Sequence, residues 1–338
     1  MVQHNTNAGP EQQIPPVTPS HAHDEDLLRM YIAECSNWGR WGSDDEVGTM
    51  NLVGPAERIA AARTIRKGIS ITLTLPYDQN GPQPGGFRSN PQIFVTASGT
   101  DHTSGAQDPL PAGFGAARGF GFSDDVLVMP TQSGTQLDSL SHIFWEGRMW
   151  NDRPASLVGS KGAAANGIEN LTGRVVMRGV LVDVAAHRGV ESLAPGEAIL
   201  PEEIDAILSS RGVEVGAGDA LLVRTGFLKA RRGTWGDFAG GDAPGLSLHM
   251  APWLRRHDIS AVVTDTWGVE VRPNEIGYFQ PLHIVSLVHG GIVFGEMFDL
   301  EALAEDCAED GVDEFMLVAS PLPLTGGSGS PVAAVAIK

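Results

Sequence analysis

The apolar positions of this chain alternate between two periods. From Asp24 to Cys35 they recur at helical spacing, and Pro55 to Arg66 opens with a proline at a helix start and continues rich in alanine. Both segments predict helices. Short β-branched runs bounded by Gly, Pro or Asp predict strands at Ile69–Leu75, Gln92–Ala97, Val126–Met129, Val175–Val184, Ala220–Arg224, Ile259–Thr264, Ile292–Phe294 and Phe315–Ala319. Between the later strands, Pro201–Ser210, Ala251–His257 and Leu300–Cys307 predict helices. Strands interleaved with helices imply an α/β protein with a buried sheet, and there is no internal repeat.

Two Gly- and Pro-rich stretches, Asp78–Asn90 and Ser98–Phe122, interrupt this order. Segments of that length without regular structure are usually functional loops, so both are candidates to cover a pocket or reach a neighbouring subunit. The first 23 residues, rich in Pro, Gln, Asn and His, form a disordered or loosely attached arm ahead of a single domain over residues 24–338. His4, His21 and His23 lie in that arm and are expected to be solvent-exposed.

Composition narrows the function. The 338 residues are 42% hydrophobic and 19% charged, as in ordinary globular proteins. A formal net charge of −18 argues against nucleic acid or an anionic membrane as partner and leaves a small molecule as the expected ligand. No apolar run reaches the length of a membrane helix, and the arm lacks the apolar core of a signal peptide. Cys35 and Cys307 give neither a disulfide framework nor a cysteine metal motif, which suits a reducing, cytoplasmic setting.

Candidate chemistry concentrates in Gln132-Ser-Gly-Thr-Gln136-Leu-Asp138-Ser-Leu-Ser-His142. Read as an extended stretch, this run puts Gln136, Asp138 and His142 on one face. A second cluster runs from Asp265 to Glu296 and includes Glu270 in a Trp-containing turn and His283 after a Pro-Leu pair. Its carboxylates and imidazole fall at or near strand ends, where α/β folds tend to place sites. The chain has no His-Glu-x-x-His, nucleophile elbow, P-loop or dinucleotide fingerprint, so zincin, α/β-hydrolase and Rossmann readings lose their support.

The run 132–142 resembles the signature His-x-Gly-Thr-His-x-Asp-x-Pro-x-His of the cyclase family, the group that includes bacterial kynurenine formamidase and isatin hydrolase. Trp38-Gly-Arg-Trp41-Gly with Asp44-Asp-Glu46, Asn51-Leu52, Val180–Val184 and Pro323-Leu-Thr-Gly-Gly327 before Gly329-Ser-Pro331 extend the resemblance, to the longer branch of that family. It implies a central mixed β-sheet or barrel-like core flanked by helices, of the swivelling β/β/α kind, assembled as a homodimer or homotetramer. It also implies a divalent metal site mapping to Gln132, Gln136, Asp138, His283 and Glu296, with His142 as general acid/base.

Glutamines replace both signature histidines, and Leu140 replaces the proline. An oxygen-rich ligand set of this kind suits Mn²⁺, Mg²⁺ or Ca²⁺ better than Zn²⁺. Gln132 and Gln136 are equally candidates to bind substrate, with Trp41, Phe144 and Trp267 as aromatic walls. Asp265 reads as a cap of its turn, His102 as surface, and His187, His249, His257 and His289 as structural.

Three functions fit. The first is a hydrolase of a non-peptide C–N bond in a cyclic amide or arylformamide, or of a lactone-type C–O bond, with water activated by a metal or by Asp138 and His142. The second is a metal-independent cyclase, dehydratase or lyase that uses the same two residues as acid and base. The third is a non-catalytic small-molecule-binding relative.

Overall fold

The computed structural model of the protein describes residues 19–108 and 119–338. Nine strands form the main sheet: β1 (Ser70–Thr72), β4 (Gln136–Asp138), β5 (Val176–Asp183), β6 (Ala220–Arg224), β7 (Ala261–Thr264), β8 (Val293–Glu296), β9 (Glu314–Val318), β10 (Gly329–Pro331) and β11 (Val335–Ile337). Two further strands, β2 (Gln92–Ala97) and β3 (Asp124–Val128), pair as a separate antiparallel hairpin. The main sheet runs in the order β1-β11-β9-β5-β6-β7-β8-β4-β10. Its centre, β5-β6-β7-β8, is parallel, and the strands on either side are antiparallel. This is the expected mixed sheet, curled into a half-barrel and flanked by helices.

The central strands are buried along almost their whole length, as a parallel sheet covered on both faces requires. Alternation sends Val180, Val182, Leu221, Val223, Val262 and Phe294 to one face. There they pack against helices α1 (Pro19–Cys35), α3 (Pro201–Arg211), α4 (Met250–Arg256) and α5 (Pro281–His283) with its π-helical continuation Ile284–His289. Met177, Leu181, Leu222, Val263 and Val293 face the other way. They meet Met50, Phe315 and the Leu303–Cys307 stripe of α6 (Glu301–Asp310).

The expected elements are present, with shifted ends. The helix expected to reach Arg66 ends at Ala62 and gives α2 (Pro55–Ala62). The strand expected over Ile69–Leu75 keeps only Ser70–Thr72 in the ladder. α1 starts at Pro19, within the expected arm; residues 1–18 of that arm lie outside the described residues. Ser98–Phe122 includes a short helix, Gly99–Thr103, and residues 109–118 of that loop also lie outside them. No helix among the described residues is long and apolar enough to cross a membrane.

Candidate active site

The site is built on the antiparallel junction of β4 with β8. The register sets Gln136 opposite Glu296 and Leu137 opposite Gly295, so Gln136, Asp138 and Glu296 share one face. Gln136 Nε2 donates to Glu296 Oε2 at 2.6 Å. On its other edge β4 is held by β10, with Asp138 opposite Gly329.

The expected extended face does not continue to His142. β4 ends at Asp138, because Ser139 Oγ takes the Ser141 amide at 3.1 Å and the His142 amide donates to the Ser139 carbonyl at 3.1 Å. Local serine bonds offer the backbone an alternative to the ladder. The resulting turn brings His142 back over the strand, with Nε2 3.7 Å from Asp138 Oδ1.

His283 enters from α5. Glu270 accepts from the backbone amides of Leu282 and His283, both at 3.0 Å, and from His283 Nδ1 at 2.6 Å. With Nδ1 engaged, His283 turns Nε2 toward Glu296 Oε1 at 3.4 Å and Asp138 Oδ2 at 4.0 Å. A carboxylate fixing the far nitrogen of an imidazole is the usual support of a metal-ligating histidine. The role of Glu270 does not follow from its place in a Trp-containing turn; its one sequence signal is a carboxylate ahead of the Pro281-Leu-His283 helix start.

Asp138, His283 and Glu296 each offer an atom, and these atoms lie within 4.8 Å of one another. Both carboxylate oxygens of Asp138 and Oε1 of Gln136 are buried without a hydrogen-bond partner. A fully buried carboxylate with two unsatisfied oxygens is costly unless a cation compensates it, so these residues fit a divalent ion.

Electrostatics follow from this packing. Burial pushes Asp138 up to about 6, with Glu296 adding to the rise while His142 and His283 oppose it. Burial lowers His142 below the usual histidine value, against the pull of Asp138. Burial would lower His283 as well, but its bonds to Glu270 and Glu296 outweigh this and raise it to about 10.

A cleft of about 260 Å³ opens onto this cluster and is lined by Arg88, His142, Trp267, Phe279, His283 and Glu296 among others. Trp267 lines this cleft. Trp41 packs instead beside Trp150 with ring centroids 6.2 Å apart, and neither it nor the exposed Phe144 lines the cleft.

Gln132 also departs from expectation. Its Oε1 accepts from Thr131 Oγ1 at 2.9 Å and its Nε2 donates to Ser328 Oγ at 3.4 Å, so its amide is engaged outside the Asp138 cluster. Asp265 caps a turn, but that of the neighbouring strand β6 and not its own: it takes the Thr225 amide and hydroxyl and the Gly226 amide.

A half-barrel sheet with an Asp-His-Glu cluster where its parallel and antiparallel strands meet defines a class, and comparison with known proteins agrees. The model of the family described as "Putative cyclase" matches residues 69–271, and the chain belongs to that family. A solved structure described as a novel cyclase is 32% identical, with a TM-score of 0.81 over 91% of this chain and 99% of that one. Isatin hydrolase A from Ralstonia solanacearum shares the fold at 19% identity and a TM-score of 0.59, over 83% of this chain and 95% of its own. Isatin hydrolase A from Labrenzia aggregata, bound to benzyl benzoate, does so at 19% and 0.57, over 82% and 94%. No curated protein matches the sequence.

Proposed function

We propose that the chain hydrolyses a non-peptide C–N bond of a cyclic amide or arylformamide, or a lactone-type C–O bond, in a small molecule. The observation that carries this reading is the buried Asp138 carboxylate, unpartnered at both oxygens, beside His283, Glu296 and a histidine facing the cleft. Asp138, His283 and Glu296 would hold a divalent ion, with the Gln136 amide oxygen beside them. An oxygen-rich set favours Mn²⁺ over Zn²⁺. When bound, such an ion polarises a carbonyl and stabilises developing negative charge on its oxygen.

His142 moves the proton. Its lowered pKa leaves the imidazole neutral at pH 7, so it takes a proton from water as the new C–O bond forms. It returns that proton to the leaving nitrogen or oxygen as the scissile bond breaks. Trp267 and Phe279 flank the cleft and suit a flat substrate. The test combines elemental analysis with turnover of formanilides, cyclic imides, isatin-like lactams and lactones by wild type and His142→Ala. Metal-free protein with full hydrolase activity would overturn the metal role, and retained turnover in the variant would remove His142.

One observation favours a second reading. Gln136 donates to Glu296 while His283 is paired with Glu270, so much of the cluster is satisfied from within. A metal-independent lyase or cyclase would then use His142 to abstract a proton next to a carbonyl, and undiminished turnover after chelation would select it.

The setting we infer is a cytoplasmic homo-oligomer. Cys35 and Cys307 are both free and buried, which supports a reducing compartment. The β2–β3 hairpin exposes Ile93, Phe94, Val95, Val126, Leu127 and Val128, which supports self-association.

A further inference from the structure

The floor of the cleft is acidic, with Asp138, Glu270 and Glu296 gathered around His283. Its rim carries the opposite charge, on Arg88. This residue lies in the loop 78–90, tied to the catalytic run where Gln83 Nε2 donates to the Ser133 carbonyl at 3.1 Å. Arg88 Nη1 reaches the Gln132 carbonyl at 3.4 Å, a long bond that leaves most of its guanidinium donors unused.

Elsewhere in the molecule Arg40, Arg178, Arg211 and Arg224 each close on a carboxylate. Among the described residues Arg88 has no carboxylate within ion-pair distance, in a chain of net charge −18. Its guanidinium lines the same cleft as His142, His283 and Glu296. A half-buried guanidinium facing a cleft with no acid of its own is a ready receptor for an anion from solution.

We propose that Arg88 recognises a carboxylate on the substrate, and that the negative floor and positive rim orient a flat acid with its scissile bond toward His142 and its carboxylate outward. The assignment rests on the reading of this cleft as the substrate site and adds the class of molecule it takes: aryl or cyclic amides bearing a carboxylate. Arg88 is a binding residue here and takes no proton. Phe87, 95% exposed beside it, and Phe279 are the apolar part of the rim; the Arg272 guanidinium is stacked on the Phe279 ring, 4.6 Å from its centroid, whereas Arg88 lines the cleft itself.

Calorimetric titration of the purified protein with benzoate and with benzamide, similar in shape but different in charge, tests the assignment directly. Wild type should bind benzoate at least about tenfold more tightly than benzamide, and Arg88→Gln should lose most of that preference. Equal affinities in wild type, or an undiminished preference in the variant, would overturn it. A melting curve close to wild type shows that the variant folds, as expected when one long bond is lost.

Turnover separates this assignment from the reaction class. Arg88→Gln should lower kcat/KM for 2-formamidobenzoate at least about tenfold more than for formanilide, mainly through KM. An equal loss on both would place Arg88 at the reacting bond and overturn anion recognition. If neither compound is hydrolysed while benzoate selectivity stands, the proposed bond class fails and the anion site remains.

Discussion

Asp138 shows how a single residue can trade stability for chemistry. Its buried carboxylate is raised to about 6, so it favours the folded state below the unfolded value of 3.8 and opposes it increasingly as pH rises through 6. The cost above that point is at most about 3 kcal/mol. Asp138→Asn should therefore stabilise metal-free protein by about 1–3 kcal/mol at pH 7.5, with less gain at pH 4.5, while abolishing turnover. Urea melts at both pH values check this; a loss of stability at pH 7.5 would show that the carboxylate is compensated without an ion.

His142 predicts the pH profile. Because burial lowers its pKa, activity should fall on acidification with a midpoint below the ordinary histidine value near 6.5, as the base becomes protonated. A kcat/KM profile recorded over pH 4.5–8 reads that limb. A midpoint above 6.5 would assign it to another group. His283 works in the opposite direction: at about 10 it holds a proton that a metal must displace, so divalent affinity should rise with pH across the neutral range. Glu270→Gln should weaken that affinity about 10- to 100-fold, measured by competition with a chelating dye.

At the level of elements, the site depends on close backbone approach. A Cβ on Gly245 would stand 2.5–2.7 Å from backbone atoms of Val269 and Glu270, the residue that orients His283. Gly245→Ala should thus cost about 1–3 kcal/mol in a urea melt and lower turnover as well. Unchanged activity with lost stability would show that Glu270 tolerates the displacement.

The same scale separates what the sequence reveals from what it hides. Ala220–Arg224 and Gln92–Ala97 are strands to the residue, their runs bounded by Asp219 and Thr225 and by Pro91 and Ser98. The pairing of Asp138 with Glu296 and His283 was legible through the motif. The turn at Ser139–His142 was not, since hydroxyl bonds decide it against a run that also reads as extended. Arg88 and Glu270 take their meaning from contacts 44 and 13 residues away, which periodicity does not encode.

For the whole molecule, the hairpin β2–β3 matters most. A two-stranded sheet with apolar side chains exposed on both faces has little to hold it in water, and a second copy would cover it. Light scattering coupled to size exclusion should give a dimer or tetramer, and Phe94→Asp with Leu127→Asp should shift it toward monomer. A wild-type monomer at micromolar concentration would overturn the oligomer.

The place of β10 in the sheet carries a consequence for synthesis. Asp138 is paired on its outer side only by Gly329, 191 positions later in the chain. As the chain leaves the ribosome, every acidic group of the site emerges before the strand that clamps β4, and this edge must wait exposed. A chain stopped short of residue 329 should accordingly be a client of chaperones rather than a weak enzyme, its central parallel strands assembled around a half-site with an open edge.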